Sequence, residues 1–220
     1  MKHGLLFSLV TISLFAIAFL RGNTYWLLIY PAISFALVTF AYLGAGSCVF
    51  GKRSDGQMSF VLLILLAPYL LVSWLIWHTV RLFSSEPKLN QVTDDLILSR
   101  RLLNRELPRE VASVVDLTCE FIEPIRLRHS ENYISFPMLD ASVRTAEELR
   151  ELAITIESLP NPVLIHCAQG HGRTGLVAAA FLVVSKYVVT PSDAIALIRS
   201  VRPGVKLNHE QLQTLKKVAA

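Results

Sequence analysis

The chain has 220 residues, 53% of them hydrophobic, and its mean hydropathy of +0.48 is too high for an ordinary soluble domain. The net charge of +4 comes without a basic stripe, which argues against nucleic-acid binding and leaves an anionic membrane surface or an acidic substrate open. The cysteines Cys48, Cys119 and Cys167 are odd in number and form no C-x-x-C pair. The sequence therefore predicts neither a disulfide scaffold nor a zinc site.

The hydrophobic excess lies in residues 1–83, which contain three apolar segments, at 4–20, 25–43 and 60–83. Crossing a bilayer takes about 20 mostly apolar residues, so the second and third segments are long enough and the first is marginal. Residues 84–220 are too few to bury these segments, and we interpret 1–83 as a membrane region with about three transmembrane helices. A cleaved signal peptide is the alternative for the first segment, which ends without a small-x-small cleavage site.

The polar residues 84–94 indicate a linker, and 95–220 indicate a second domain. Thr145 and Glu148 form a capping-box pattern at the start of a helix with one apolar stripe. Strands alternate with helices, which predicts an α/β fold with a mostly parallel central sheet covered on both faces. The predicted strands are 96–98, 113–117, 133–136 (ended by Pro137) and 163–165, and the predicted helices are 146–159, 176–189, one from Pro191 and one from 209.

The sequence HCAQGHGRTG at 166–175 lies between a predicted strand and a predicted helix. Backbone N–H groups of such a turn converge on one point, and the helix N-terminus adds positive potential there. The planar guanidinium of Arg173 suits two phosphate oxygens. The same field stabilises a thiolate at Cys167, so this segment, the phosphate loop, could bind phosphate and supply the nucleophile. A chance pairing of a buried cysteine with a nearby arginine is the alternative.

Breaking a phosphoester also requires a proton for the leaving oxygen. Asp140 is the single aspartate between Leu117 and the phosphate loop, and it lies in a predicted loop after a strand. We expect it to be the general acid. Glu120 and Glu123 are the reserve candidates.

The Cys-x5-Arg-Thr-Gly motif, the upstream Asp140 loop and the strand end VVDLT at 114–118 resemble the dual-specificity branch of the protein tyrosine phosphatase superfamily, over about 90–218. The resemblance implies a compact α/β phosphatase domain that works through a cysteinyl-phosphate without metal or other cofactor. Together with the apolar segments, it identifies the chain as a membrane-anchored, bacterial member of that family. It implies the following roles: Cys167 as nucleophile, Arg173 as phosphate clamp, Thr174 as a hydroxyl aiding dephosphorylation, Asp140 as acid then base, His166 as support beneath the loop, and Ala168, Gln169, Gly170, His171, Gly172 and Arg173 as substrate-binding residues.

Low-molecular-weight phosphatases and arsenate reductases share the Cys-x5-Arg spacing, but they place it near the domain start with the acid downstream. Gln169 and His171 occupy positions where phosphoinositide phosphatases of the superfamily tend to carry lysines, so a pocket for multiply phosphorylated inositides is not expected. The substrate stays open between phosphotyrosine, phosphoserine or phosphothreonine proteins and a phospholipid headgroup. An inactive phosphate-binding interaction module at the membrane is the alternative function.

Charge counting favours a cytoplasmic C-terminal domain only slightly, because lysines and arginines flank the apolar segments on both sides. The chemistry favours it more, since a nucleophilic thiolate survives best in a reducing compartment. The sequence therefore predicts a multi-pass protein of the cell membrane whose partners are the lipid bilayer and its phosphorylated substrate. It leaves the oligomeric state open.

Overall fold

The computed structural model describes residues Lys2–Ala219. Contacts between Cα atoms divide the chain into two compact units. The first unit contains the chain up to Arg53 together with Gln57–Ser84 and Cys119–Ile122, and the second contains Ser54–Gly56, Ser85–Thr118 and the chain from Glu123 onward.

Apolar helices make up most of the first unit. Helix α1 is Lys2–Arg21, a 3-10 turn covers Asn23–Leu28, α2 is Ile29–Phe40, a π turn covers Ala41–Ala45, a 3-10 turn covers Gly46–Phe50, α3 is Phe60–Leu65 and α4 is Ala67–Phe83. Two helical stretches are long and apolar enough to cross a membrane, judged by length and composition: His3–Arg21, with a mean hydropathy of 2.1, and Asn23–Phe50, with 1.8.

The segment 60–83, predicted as one membrane-spanning helix, is instead divided between α3 and α4. The cause is Pro68, which has no N–H for the carbonyl of Ile64 and whose ring clashes with that carbonyl in a continuous helix. The hydroxyl of Tyr30, on α2, donates to the Ile64 carbonyl oxygen instead. The next amide, of Tyr69, donates to the Ser34 hydroxyl of α2 over 3.2 Å. Side chains of α2 thus compensate the backbone groups that the break releases.

The segment Cys119–Ile122 packs within the first unit against α4. The indole N–H of Trp74 donates to the carbonyl oxygen of Glu120 over 2.8 Å. The ring of Phe121 lies against the rings of Trp74 and Trp77, with centroids 6.5 and 5.6 Å apart. Two tryptophans therefore hold this segment.

The second unit is built on a five-stranded sheet in the order β1-β2-β5-β3-β4. Its elements are β1 (Leu89–Gln91), β2 (Leu96–Arg100), β3 (Ser113–Thr118), α5 (Ile125–Arg128), β4 (Asn132–Met138), α6 (Ala146–Glu157), β5 (Val163–Cys167), α7 (Gly172–Val184), α8 (Pro191–Val201) and α9 (His209–Ala219). Strand β1 runs antiparallel to β2, and the other pairs are parallel. The predicted mostly parallel α/β sheet flanked by helices is confirmed.

Strand β5 lies at the centre of the sheet, and every one of its residues is buried. Side chains alternate between the faces of a strand. Val163 and Ile165 therefore join the core under α6–α9, whereas Leu164 joins a smaller cluster with Leu102 and with Leu127 of α5. Because its neighbours on both sides run parallel to it, β5 carries Cys167 to the same edge of the sheet as the ends of β2 and β3.

Three predicted element boundaries were wrong. Strand β1 lies inside the segment predicted as linker, because its polar residues pair only with β2 and carry no buried apolar pattern. Strand β4 continues through Pro137, which an edge strand tolerates beside the register shift between β3 and β4. Helix α7 begins at Gly172, within the phosphate loop, and ends at Val184 rather than spanning 176–189, since Lys186 has a left-handed φ of +59° that a helix does not continue through.

The helix starts follow the predicted caps. Thr145 accepts a hydrogen bond from the Glu148 amide over 3.2 Å, and Glu148 accepts one from the Thr145 amide over 2.9 Å. Burial alone would raise the pKa of Glu148, but the Thr145 amide and the charge of Arg144 together lower it below its ordinary value. Thr190 and Asn208 accept the corresponding amide hydrogen bonds at the starts of α8 and α9.

Candidate active site

The phosphate loop begins in the last residues of the central strand β5 and ends in the first turn of α7. Cys167, the last residue of β5, is 3% exposed. Its Sγ accepts a hydrogen bond from the amide of Gly170 over 3.2 Å. An N–H aimed at the sulfur stabilises a thiolate more than a neutral thiol. The geometry therefore suits a cysteine prepared for nucleophilic attack.

Gly170 allows the phosphate loop to approach β2. Its φ of +74° lies in the left-handed region, and a β-carbon there would lie 2.5 Å from the carbonyl oxygen of Ser99. Only glycine fits this conformation and this backbone contact. Gly172 differs, because a β-carbon at that position would lie no closer than 3.6 Å to a neighbouring atom outside its own helix, the Gln211 side chain.

Carbonyl groups of the phosphate loop are hydrogen-bonded from outside the loop. The amide of Arg101 donates to the carbonyl of Ala168 over 3.2 Å. The guanidinium of Arg202 donates to the carbonyls of Gln169 and Gly170 over 3.1 and 2.7 Å. Sequence reasoning missed Arg202, because its only local signal is an arginine before a proline at the end of a helix pattern. Its role depends on a contact 32 residues away along the chain.

Arg173 lies in the first turn of α7 and is 1% exposed. Its Nη1 donates to the carbonyl of Met138 over 2.9 Å and to that of Leu117 over 3.4 Å. These carbonyls belong to the ends of β4 and β3, so the guanidinium is fixed to both strands. A planar fork held in this way is pre-organised to bind two phosphate oxygens.

The structure brings the predicted acid, Asp140, to the predicted clamp. Its Oδ1 lies 3.4 Å from the Nε of Arg173, and its side chain is 65% exposed. The loop that carries Asp140 is held by two side chains near the start of α9. Asn208 donates to the Ala141 carbonyl over 2.8 Å, and Gln211 donates to the Ser142 carbonyl over 3.2 Å. Asp140 is therefore positioned beside the phosphate loop and remains open to solvent.

Both reserve acids have other partners. Glu123 is 1% exposed and accepts a hydrogen bond from Arg101 over 2.8 Å. Glu120 accepts one from the amide of Cys119 over 2.9 Å, and the buried Cys119 thiol lies 3.4 Å from the same carboxylate oxygen. Their hydrogen bonds indicate structural roles, and Asp140 is the better candidate of the three.

Thr174 and His166 are both fully buried next to the key residues in sequence. Within Lys2–Ala219 neither the Thr174 hydroxyl nor either ring nitrogen of His166 has a hydrogen-bond partner. A buried hydroxyl without a partner is costly, so the Thr174 group is available for a hydrogen bond to a bound group.

The ring of His166 faces a buried polar network. Its Nε2 lies 3.9 Å from Asp116 Oδ1 and 4.0 Å from Glu123 Oε2. Asp116 accepts hydrogen bonds from Thr118 and from the Tyr133 hydroxyl, the latter over 2.7 Å. Burial, and after it the charge of Asp116, raises the pKa of Tyr133 far above its ordinary value.

Asp116, Glu123 and His166 are of metal-ligand type, with ligand atoms all within 4.8 Å of one another. Oxygens of both carboxylates already accept hydrogen bonds from neighbouring side chains, among them the one from Arg101 to Glu123. The arrangement is that of a polar network supporting the strand before Cys167.

A family model described as "Dual specificity phosphatase, catalytic domain" matches residues 109–219, half of the chain. The tyrosine-protein phosphatase CDC14 homolog of Schizosaccharomyces pombe is 30% identical over 91 residues, which cover 40% of this chain and 16% of that protein. Tyrosine phosphatase 197R of Invertebrate iridescent virus 6 is 36% identical over 81 residues, covering 33% and 29%. The chain thus spans less than a third of the length of these two relatives.

Solved structures share the fold of the second unit. The crystal structure of Tk-PTP in the active form aligns with a TM-score of 0.54 and 28% identity, covering 60% of this chain and 97% of that one. The crystal structure of PTPMT1 in complex with PI(5)P aligns with a TM-score of 0.54 and 18% identity, covering 60% and 95%. The second likeness concerns the fold alone.

The two glycines of the phosphate loop give a matched stability test. We expect Gly170→Ala to lower the free energy of unfolding by more than about 2 kcal/mol, because it adds left-handed strain and a backbone clash. Gly172→Ala should change it by less than about 1 kcal/mol, since its β-carbon meets only ordinary contacts. Hydrogen exchange of the β5 amides in the intact protein measures both. Equal effects would contradict the loop conformation.

Proposed function

The chain belongs to the dual-specificity phosphatase family, and on that basis we propose that it is a membrane-anchored, cysteine-based phosphatase that hydrolyses phosphomonoesters. The observation that carries the proposal is the placement of three groups. The Cys167 sulfur accepts an N–H bond within the phosphate loop, Arg173 is fixed at the other end of that loop, and Asp140 lies 3.4 Å from Arg173. A nucleophile, a clamp and an acid are the minimum for phosphoester cleavage.

In the proposed first step, the Cys167 thiolate attacks phosphorus and the bond to the leaving oxygen breaks. Asp140, protonated, gives its proton to that oxygen. Arg173 and the loop N–H groups hold the non-bridging oxygens, where charge is concentrated in the transition state. The products are a cysteinyl-phosphate and a neutral alcohol or phenol.

In the proposed second step, water attacks the cysteinyl-phosphate and the sulfur–phosphorus bond breaks. The Asp140 carboxylate, which gave up its proton in the first step, accepts one from the water. Thr174, whose buried hydroxyl lacks a partner within Lys2–Ala219, would donate to the departing thiolate. Inorganic phosphate then leaves, and the protonated acid and the thiolate are restored.

The apolar helices of the first unit support a membrane anchor. We propose a cytoplasmic catalytic domain because a nucleophilic thiolate survives best in a reducing compartment. Two stretches, His3–Arg21 and Asn23–Phe50, have the length and composition of membrane-spanning helices. An anchor of this kind raises the local concentration of a membrane-bound substrate. We therefore propose either a phosphoprotein or a phospholipid headgroup as substrate. PTPMT1, which shares the fold, was crystallised with PI(5)P, and a lipid headgroup is thus compatible with this fold.

Substitution of the nucleophile tests the chemistry. We expect Cys167→Ser to lower kcat on an aryl phosphate by on the order of 10³-fold or more, because a hydroxyl is a far weaker nucleophile than a thiolate. Cys48→Ser, at an exposed cysteine of the first unit, is the control and should change kcat by less than about twofold. Undiminished turnover in Cys167→Ser would contradict the mechanism. An inert wild type would favour the phosphate-binding interaction module.

Substitution of the acid tests its role through the leaving group. A poor leaving group needs the proton and nitrophenolate does not, so Asp140→Ala should cost about 10²-fold on an alkyl phosphate and about tenfold or less on nitrophenyl phosphate. Asp94→Ala, at an exposed aspartate, should leave both rates nearly unchanged. Equal losses on both substrates would mean that another group supplies the proton.

Membrane anchoring has its own test. The full chain should stay in the membrane pellet after extraction with alkaline carbonate and enter solution only with detergent, because buried apolar helices resist removal to water. A tag at the C-terminus should resist protease in intact spheroplasts and be cleaved after lysis if the catalytic domain is cytoplasmic. Release by carbonate would refute the anchor, and cleavage in intact spheroplasts would refute the orientation.

A further inference from the structure

Glu86 places a carboxylate at the phosphate loop. Its Oε2 lies 2.7 Å from Nε2 of His171, a residue of that loop. The side chains are 27% and 34% exposed, so the pair faces solvent in part. Glu86 lies in the segment predicted to be a linker, directly after two serines that follow α4. A residue assigned to a spacer by its sequence is thus in contact with the candidate site.

The position of Glu86 is fixed by Arg202. The guanidinium has five N–H donors, and its Nε binds the Gly170 carbonyl. The other four donors bind Pro87 O, Asn90 Oδ1, Gln169 O and Glu86 Oε2, over 3.1, 2.7, 3.1 and 3.4 Å. Arg202 is fully buried, and burial lowers its pKa while the charge of Glu86 opposes that shift. One side chain therefore joins the phosphate loop to the segment carrying Glu86.

Gly204 packs against the same pair. A β-carbon at this position would lie 2.6 Å from Glu86 Oε1 and 2.6 Å from His171 Nε2. The backbone of Gly204 thus closes one side of the Glu86–His171 contact. Arg202 and Gly204 together hold the carboxylate in one place. A residue of a freely mobile linker would have no such fixed position.

A fixed negative charge beside a phosphate-binding loop interacts electrostatically with the other charged groups of the substrate. It repels a second anionic group near the phosphate and attracts a cationic one, and the interaction is only partly screened over less than a Debye length. We infer that Glu86 is a specificity-determining residue, which with His171 disfavours phosphomonoesters bearing a neighbouring anionic group and favours those bearing a neighbouring cationic one. The inference rests on the proposed phosphatase function and adds the substrate class.

The experiment compares two aryl phosphates with the full chain in detergent: 4-(aminomethyl)phenyl phosphate, which carries a cation, and 4-carboxyphenyl phosphate, which carries an anion. The measured quantity is the ratio of kcat/KM for the first to that for the second. A ratio within one protein sample does not depend on the folded fraction. The ratio also removes the intrinsic reactivity of each leaving group when variants are compared.

Glu86→Gln should lower this ratio by about threefold to tenfold, mainly through KM, because it removes the charge and keeps the side-chain shape. Glu157→Gln makes the same change in net charge at the exposed carboxyl end of α6 and should leave the ratio nearly unchanged. Gly204→Ala, which displaces the carboxylate without changing charge, should move the ratio in the same direction as Glu86→Gln. Added salt should reduce the effect.

The outcomes separate the two hypotheses. A wild type that turns over neither aryl phosphate would overturn the proposed function and this inference with it. An active wild type whose ratio changes equally in Glu86→Gln and Glu157→Gln would overturn the inference alone. A uniform loss on both substrates in Glu86→Gln, with the ratio unchanged, would also overturn it, since that result shows a purely structural role.

Discussion

The candidate site depends on how the peptide groups of the phosphate loop are oriented. A trans peptide is planar, so its carbonyl and the following N–H point in opposite directions. Carbonyls of Ala168, Gln169 and Gly170 are bound from behind by Arg101 and Arg202. The N–H groups of residues 169–171 must therefore point the other way, and that of Gly170 does so toward Cys167. Because the carbonyls are hydrogen-bonded on one side of the loop, the N–H groups on the other side remain available to bind a phosphate.

Two buried arginines hold this loop at different places. Arg202 lies behind it and has a carbonyl or side-chain acceptor for each of its donors. Arg173 lies at its end and is tied by Nη1 to the ends of β3 and β4. Burying a guanidinium is costly unless it is paired and hydrogen-bonded, which limits such a residue to one geometry. Asp140 lies two residues after the end of β4, so the same strand end supports the clamp and the acid.

The predictions from sequence succeeded where the signal is local. The capping box at Thr145, the strand entering Cys167 and the mostly parallel sheet each follow from residue types at short spacing. They failed where a distant partner decides. Strand β1 has too little apolar pattern to be recognised, and Glu86 looks like a linker residue until Arg202 joins it to the loop. The roles of Cys167, Arg173 and Asp140 stay predictions, drawn from the chemistry of these residues and from the motif.

In each unit, side chains from distant parts of the sequence form hydrogen bonds with backbone carbonyls that a break or a turn leaves without a partner. Pro68 is visible in the sequence, and so is the carbonyl of Ile64 that it leaves without its helical donor. The group that compensates, the Tyr30 hydroxyl, is set by the packing of α2 and cannot be read from the segment itself. The glycines at 170 and 172 likewise indicate a tight turn. Arg202, which binds two carbonyls of that turn, lies at the end of another predicted helix. A sequence thus identifies which peptide groups a break or turn releases, and the tertiary structure determines which side chains satisfy them.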